Sequence, residues 1–225
     1  MSDAPETTGD NYSLWTVWRR DPHNPVTEGD ATELEDIVAL LEGEGITIRG
    51  FYDVSGLRAD ADLMIWLHGA VAEDLQRAVR RLRRTELLKN LLPTWHAMAV
   101  HRDAEFNKRH VPGYLRGIPA KGWLTVYPFV RSHEWYLLPE DERRAMLADH
   151  GRKGAAFTGV VANTMASFSL GDYEWMLPME SDELTELVDM MRELRYTDAR
   201  RHVREEVPFY TGRRIPASAV PEVLQ

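Results

Sequence analysis

An α+β fold built from two βαββαβ units is what the sequence predicts, and three observations lead there. Period-2 apolar stretches alternate with period-3.6 stretches along the whole chain. The order strand, helix, strand, strand, helix, strand occurs twice. A local motif also recurs: Arg80-Arg81-Leu82-Arg83-Arg84-Thr85-Glu86 matches Arg192-Glu193-Leu194-Arg195-Tyr196-Thr197-Asp198 as Arg-x-Leu-Arg-x-Thr-acid.

In the first unit, Tyr12 to Trp18 reads as a strand, followed by a helix with Leu34, Ile37, Val38 and Leu41 on one face, ended by Gly43 and Gly45. Ile46 to Val54 and Asp62 to His68 are strands around a Ser55-Gly56 turn. A second helix groups Leu75, Val79 and Leu82, and a strand from Thr94 to His101 follows Pro93. The second unit has a strand from Trp123 to Val130, a helix from Pro139 to His150, and strands at Phe157 to Phe168 and Asp172 to Leu177. A helix from Asp182 to Leu194 and a short last segment complete it. Asp62 and Trp66 answer to Asp172 and Trp175 across the repeat. Each unit is ferredoxin-like, with one sheet face covered by helices. Two bare faces packed together make a dimeric-type α/β barrel. The expected division is a disordered leader over 1–11, a first unit over 12–105 and a second over 106–225, with 106–120 as the connecting loop.

Composition narrows the function classes. Hydrophobic content of 44% with 28% charged residues is ordinary for a globular chain, and seven Trp can fill large core volumes. The chain has no Cys, so disulfides, thiolate metal sites and Cys nucleophiles are excluded. That composition suits a reducing cytoplasm, the expected location. His becomes the leading metal ligand. A net charge of −9 argues against general nucleic-acid binding. Yet Phe106 to His133 contains no acid while carrying Lys108, Arg109, Arg116, Lys121 and Arg131, so an anionic ligand would be attracted there. A basic surface loop next to a strand accounts for the same window equally well.

Three residues have spacing that suits chemistry. His150 follows Met146 and Leu147 at i+4 and i+3, which puts the imidazole on an apolar helix face, just before an expected stop at Gly151. A haem-type ligand would sit there, although for the residue taken alone a partly buried His favoured by the helix C-terminus is the plainer reading. Alternation groups Trp123, Thr125, Tyr127, Phe129 and Arg131 on one strand face and Leu124, Val126, Pro128 and Val130 on the other. The aliphatic set suits the helices, leaving Tyr127 and Arg131 to line the barrel interior, as site residues or as filler and edge charge. His110, in the connecting loop, could reach over a cavity or face solvent.

Five segments in order carry a resemblance: Tyr127-Pro128-Phe129-Val130-Arg131, Trp135-Tyr136-Leu137-Leu138-Pro139, Asp149-His150-Gly151, Gly171-Asp172-Tyr173-Glu174-Trp175 and Val207-Pro208-Phe209-Tyr210-Thr211-Gly212. From about Tyr12 to Ile215 the chain resembles the coproheme decarboxylases, the haem-forming, actinobacterial-type branch of the chlorite dismutase superfamily. The resemblance implies oxidative decarboxylation of two propionates of iron coproporphyrin III by hydrogen peroxide, through a three-propionate intermediate, to haem b. It implies that His150 is the proximal iron ligand and that Tyr127 is the tyrosine whose radical takes hydrogen from the propionate. It implies that His110 is the distal base and that Arg131 contacts a propionate. A homopentamer is implied as well. Where the Firmicute-type enzymes carry Lys four residues after the tyrosine, this chain has Arg131, which keeps the charge but not a Lys proton donor. Chlorite-dismutating relatives carry a distal Arg on the strand after the His-Gly motif, whereas Gly159 to Gly171 here holds no Arg or Lys, so the resemblance does not imply chlorite decomposition. Asn163 lies near that distal position without an assigned role, and Trp175 is expected to pack. A haem-delivery protein without turnover is the alternative from another class, and a cofactor-free monooxygenase is a third.

Overall fold

The structure is a computed structural model that describes residues 11–26, 29–103 and 111–225. In chain order its elements are β1 (Tyr12–Arg19), α1 (Thr32–Gly43), β2 (Thr47–Asp53), β3 (Leu63–Gly69), α2 (Ala72–Leu82) and β4 (Leu92–Val100). Then come β5 (Trp123–Arg131), α3 (Glu140–Gly154), β6 (Val161–Ala162), β7 (Met165–Ala166), β8 (Trp175–Ser181), α4 (Leu184–Leu194), β9 (Val203–Glu205), β10 (Tyr210–Ile215) and α5 (Val220–Leu224).

The chain divides into two compact units, one running to His101 and including Tyr210–Gln225, the other Arg102–Phe209. In the first, β1 pairs antiparallel with β3 and β4, β2 with β3, and β10 with β2. Leu34 and Leu41 of α1 and Leu75, Ala78 and Leu82 of α2 are buried against Leu14, Trp18, Ile48, Leu63, Ile65 and Leu67 on one sheet face. Each Leu or Ile side chain so buried contributes roughly 1.5–3 kcal/mol by leaving water. Ile215, Val220 and Leu224 join the same core. The last segment therefore belongs with the first unit, not with 106–225 as expected from sequence, because β10 continues the β2 edge through Arg213–Asp53 and Ile215–Phe51 pairing. Of the expected leader only Asn11 is described, and its carbonyl accepts the His101 N–H at 2.9 Å.

In the second unit β5 pairs with β8, with Tyr127 opposite Leu177 and Phe129 opposite Trp175. β9 extends the other side of β5 near Arg131. The strand expected at Phe157 to Phe168 is two short pieces, β6 and β7, both on β8. Asn163 interrupts them: its backbone N–H donates to Pro178 O at 3.0 Å and its side chain turns inward. Ser181 Oγ donates to Glu186 at 2.6 Å and accepts the Glu183 N–H at 3.1 Å, which ties the end of β8 to the start of α4. Thr197 Oγ1 donates to Leu194 O at 3.0 Å after α4, as Thr85 Oγ1 donates to Leu82 O at 2.8 Å after α2.

α3 departs from expectation at its end. Gly151 takes no left-handed conformation, and the helix runs on to Gly154, with Arg152 and Lys153 in its last turn. Lys153 Nζ anchors it by donating to Tyr196 O at 2.7 Å. His150 thus projects from within the helix. No residue of α3 is fully buried, so this helix does not close onto the sheet as α4 does. Among the described residues no helix is long and apolar enough to cross a membrane.

Candidate functional site

The gap that α3 leaves is a cleft wholly within the second unit, enclosing about 460 Å³ with its open mouth. Tyr127, Phe129 and Arg131 of β5 form its floor with Leu177 of β8. His150 of α3, Met191 and Leu194 of α4, and Arg195, Arg200 and Glu206 from the segment after α4 form its walls.

This geometry reverses one expectation. Tyr127 packs with Leu187, Met190 and Leu194 of α4, so the aromatic and polar face of β5 is the helix-facing one. Leu124, Val126 and Val130 are buried on the opposite face. Hydrophobicity alone assigns the aliphatic face to the helices. A sheet that must line a polar cleft beneath its helices inverts that rule.

Tyr127 is 3% exposed. Its ring lies on Phe209, centroids 4.3 Å apart and planes 15° apart, and its hydroxyl donates to Met191 Sδ at 3.4 Å. Burial, reinforced by the Glu206 carboxylate, pushes the phenol well above its ordinary range, while Arg195 and Arg200 oppose the shift. The hydroxyl is therefore protonated at neutral pH, and a sulfur acceptor takes little of the proton. Such a phenol reacts by losing an electron and a proton together.

Arg131 is held by its planes. Its guanidinium carbon lies 4.1 Å from the Trp135 ring centre and 4.8 Å from that of Phe129. These contacts stabilise by about 0.5–2 kcal/mol each. Burial lowers its pKa to about 10, so it stays charged at neutral pH. The nearest acid, Glu174, is committed elsewhere: its Oε2 accepts the Arg131 backbone N–H at 2.8 Å and the Tyr136 hydroxyl at 2.9 Å. Among the described residues no carboxylate pairs with the guanidinium, and its donors remain for a ligand.

His150 is partly buried and makes no hydrogen bond among the described residues. Burial first, then the Arg131 charge, lowers its pKa, while Asp149 works against them. A neutral imidazole with a free lone pair at a cleft wall is a competent iron ligand.

The structure thus brings Tyr127, Arg131 and His150 to one cleft. His110, with Lys108 and Arg109, lies outside the described residues. Lys121 is spent structurally, its Nζ on Asp182 at 2.7 Å. Asn163 is fully buried and does not reach the cleft: its Oδ1 accepts the Tyr114 N–H at 3.0 Å and its Nδ2 donates to Glu180 Oε1 at 3.0 Å. Trp175 packs as expected, parallel to Phe129 at 6.2 Å and edge-on to Phe168 at 5.4 Å. Sequence reasoning missed the cleft roles of Arg195, Arg200 and Glu206. Arg195 is conspicuous in the repeated motif, where it reads only as a sign of internal similarity.

Known proteins resemble this chain in sequence and in fold. The family model described as Chlorite dismutase matches residues 28–215. Coproheme decarboxylase of Mycolicibacterium smegmatis is 54% identical over 208 residues, covering 91% of this chain and 90% of that protein. Crystal structures of two mutants of chlorite dismutase from Candidatus Nitrospira defluvii share the fold. One, with TM-score 0.82 and 20% identity, covers 96% of each chain. The other, in complex with cyanide, has TM-score 0.82 and 19% identity over 100% of each. A matched family model over most of the length and a relative sharing more than half its residues across nearly the whole chain place this protein in the chlorite dismutase family.

Proposed function

We propose that the protein is a hydrogen-peroxide-dependent coproheme decarboxylase, which removes two carboxyl groups from iron coproporphyrin III to give haem b. The observation that carries this reading is the convergence, in one cleft, of an unpartnered imidazole, a buried phenol and an uncommitted guanidinium. A flat, iron-bearing, polycarboxylate ligand uses all three. The 54% identity with a coproheme decarboxylase supports the same assignment.

The bound iron porphyrin supplies the redox chemistry: one propionate and one hydrogen peroxide give one vinyl group, carbon dioxide and two waters. His150 holds the iron through a neutral ring nitrogen. Arg131 fixes a propionate by charge-assisted hydrogen bonds. Tyr127, held neutral by burial, removes hydrogen from the propionate side chain next to the ring. His110 is assigned the proton transfer from peroxide, because an imidazole can accept a proton near neutral pH.

The two units are read as duplicated ferredoxin-like halves of a dimeric-type barrel. In support, Leu75 and Leu187, Leu82 and Leu194, and Thr85 and Thr197 lie at one constant separation and play equivalent parts in α2 and α4. This register replaces the pairing of Trp66 with Trp175: β3 and β8 align Leu63 with Trp175 at the same separation. A cytoplasmic homopentamer completes the reading.

Chromatography of the porphyrins formed as peroxide is titrated into the protein with iron coproporphyrin III tests it. Sequential appearance of three- and two-propionate products supports decarboxylation. Bleaching without either product is the result for a haem-delivery protein and would refute it.

A further inference from the structure

Among the described residues the Tyr127 hydroxyl has one acceptor, the thioether of Met191, at 3.4 Å. The carboxylate whose charge is felt at Tyr127 is engaged elsewhere: Glu206 Oε1 accepts from Arg195 Nη1 at 3.1 Å, and its Oε2 lies 2.6 Å from Arg200 Nη1. Sulfur is a weak acceptor, so the phenolic hydrogen is lightly held. How easily Tyr127 gives that hydrogen up therefore depends on the chemical state of one sulfur atom.

Met191 is also the cleft methionine that solutes can reach. It lines the cleft and is half-buried, while Met190 beside it is 4% exposed and Met179 of β8 6%. The second unit holds another bond of the same kind, from the Tyr114 hydroxyl to Met165 Sδ at 3.5 Å, but there the methionine is 0% exposed and the tyrosine 6%. One tyrosine–methionine pair is sealed in a core; the other opens on the cleft. Oxidation follows exposure, so hydrogen peroxide entering the cleft meets the sulfur of Met191 and not that of Met165.

We infer that Met191 is an oxidation site through which hydrogen peroxide restrains its own consumption: the sulfoxide oxygen captures the Tyr127 hydroxyl and hinders the loss of electron and proton by which that residue acts. The inference rests on the peroxide-dependent reading above. In the modifying step the peroxide O–O bond breaks, one oxygen bonds to Sδ, sulfur gives up an electron pair, and the rest of the peroxide leaves as water. A sulfoxide oxygen is a far stronger acceptor than a thioether but a very weak base. It stabilises the O–H form of Tyr127 without taking its proton, and the radical form, having no O–H, forgoes that bond. The unbranched methionine side chain has the rotational freedom to bring the new oxygen to the hydroxyl. The change is reversible, because methionine sulfoxide reductases return the thioether.

The test treats the full-length protein, free of porphyrin, with hydrogen peroxide, removes the oxidant and locates the added oxygen by peptide mass. Met191 should carry it and Met165 should not. Ultraviolet resonance Raman of the tyrosine ring doublet, taken as the difference from Tyr127→Phe, should shift to that of a strongly donating phenol. Turnover of iron coproporphyrin III should fall about three- to tenfold, the scale of one hydrogen bond, with porphyrin affinity in Soret titrations unchanged. Treatment with a methionine sulfoxide reductase should restore it. Met98 and Met146 are half-buried as well, so Met191→Leu is the control, and its turnover should not change on treatment. Met191→Gln, whose amide oxygen imitates the sulfoxide, should turn over more slowly than Met191→Leu before any treatment. An unoxidised Met191, an unchanged Tyr127 signal, a loss in porphyrin affinity in place of turnover, or an equal loss in treated Met191→Leu would overturn the inference. A captured Tyr127 hydroxyl in a protein that decarboxylates nothing even before treatment would support the oxidation site and remove the decarboxylase reading instead.

Discussion

The Tyr127 ring rests flat on Phe209 at 4.3 Å while its hydroxyl reaches only the Met191 sulfur at 3.4 Å. Shape is thus held by the stack, and the hydroxyl is free of strong acceptors. Tyr127→Phe keeps the stack and removes only the O–H. Stability should change by no more than about 1 kcal/mol, because the lost bond is a weak one. Turnover should fall by roughly 10²-fold or more, the usual scale for a proton-transferring group, with porphyrin affinity unchanged. Steady-state assays beside Soret titrations check this, and undiminished turnover would remove Tyr127 from the reaction.

Arg131 between Trp135 and Phe129 makes a separate prediction. Arg131→Gln should weaken binding of iron coproporphyrin III by about 10–100-fold, since it removes a buried charge-assisted contact. Arg131→Lys should recover only part of it, because an ammonium keeps the charge but not the planar stack. Full recovery in Lys would show that charge alone matters there.

Asn163 should matter for stability and not for chemistry. It joins the Tyr114 N–H to the fully buried Glu180 carboxylate. Asn163→Leu leaves a buried carboxylate short of a donor and should cost roughly 3 kcal/mol. Denaturant unfolding measures this, and turnover per folded molecule should stay near wild type.

His68 gives the protein an acid-sensitive element away from the cleft. Burial, aided by the Arg49 charge, depresses its pKa from 6.5 to about 4. The unfolded chain therefore binds a proton below pH 6.5 that the folded chain refuses. The stability contribution is complete above that value and is lost as the pH falls toward 4, up to roughly 3 kcal/mol. Urea melts of wild type and His68→Gln across this window should converge toward acid, with a flatter profile for the variant. Parallel profiles would contradict the assignment.

Much of this was legible in the residues, and the exceptions have physical causes. Alternation on β5 grouped Tyr127 with Phe129 and Arg131 correctly, because period 2 is a property of the backbone. Which face met the helices was not legible, since that depends on where α3 fails to close. Gly151 reads as a helix stop, but glycine only permits a left-handed residue and does not impose one; Lys153 holding Tyr196 O carries the helix on. The Asn163 to Glu180 link and the Glu206 clamp join residues distant in sequence or hidden in an arginine-rich run, and no periodicity marks them.

The most direct measurement follows the mass of porphyrin in the complex of protein and iron coproporphyrin III as hydrogen peroxide is added stepwise. The account predicts two successive losses, each equal to the elements of formic acid, ending at haem b, with Tyr127→Phe stopping before the first. A porphyrin that keeps all four carboxyl groups as it is consumed would contradict it.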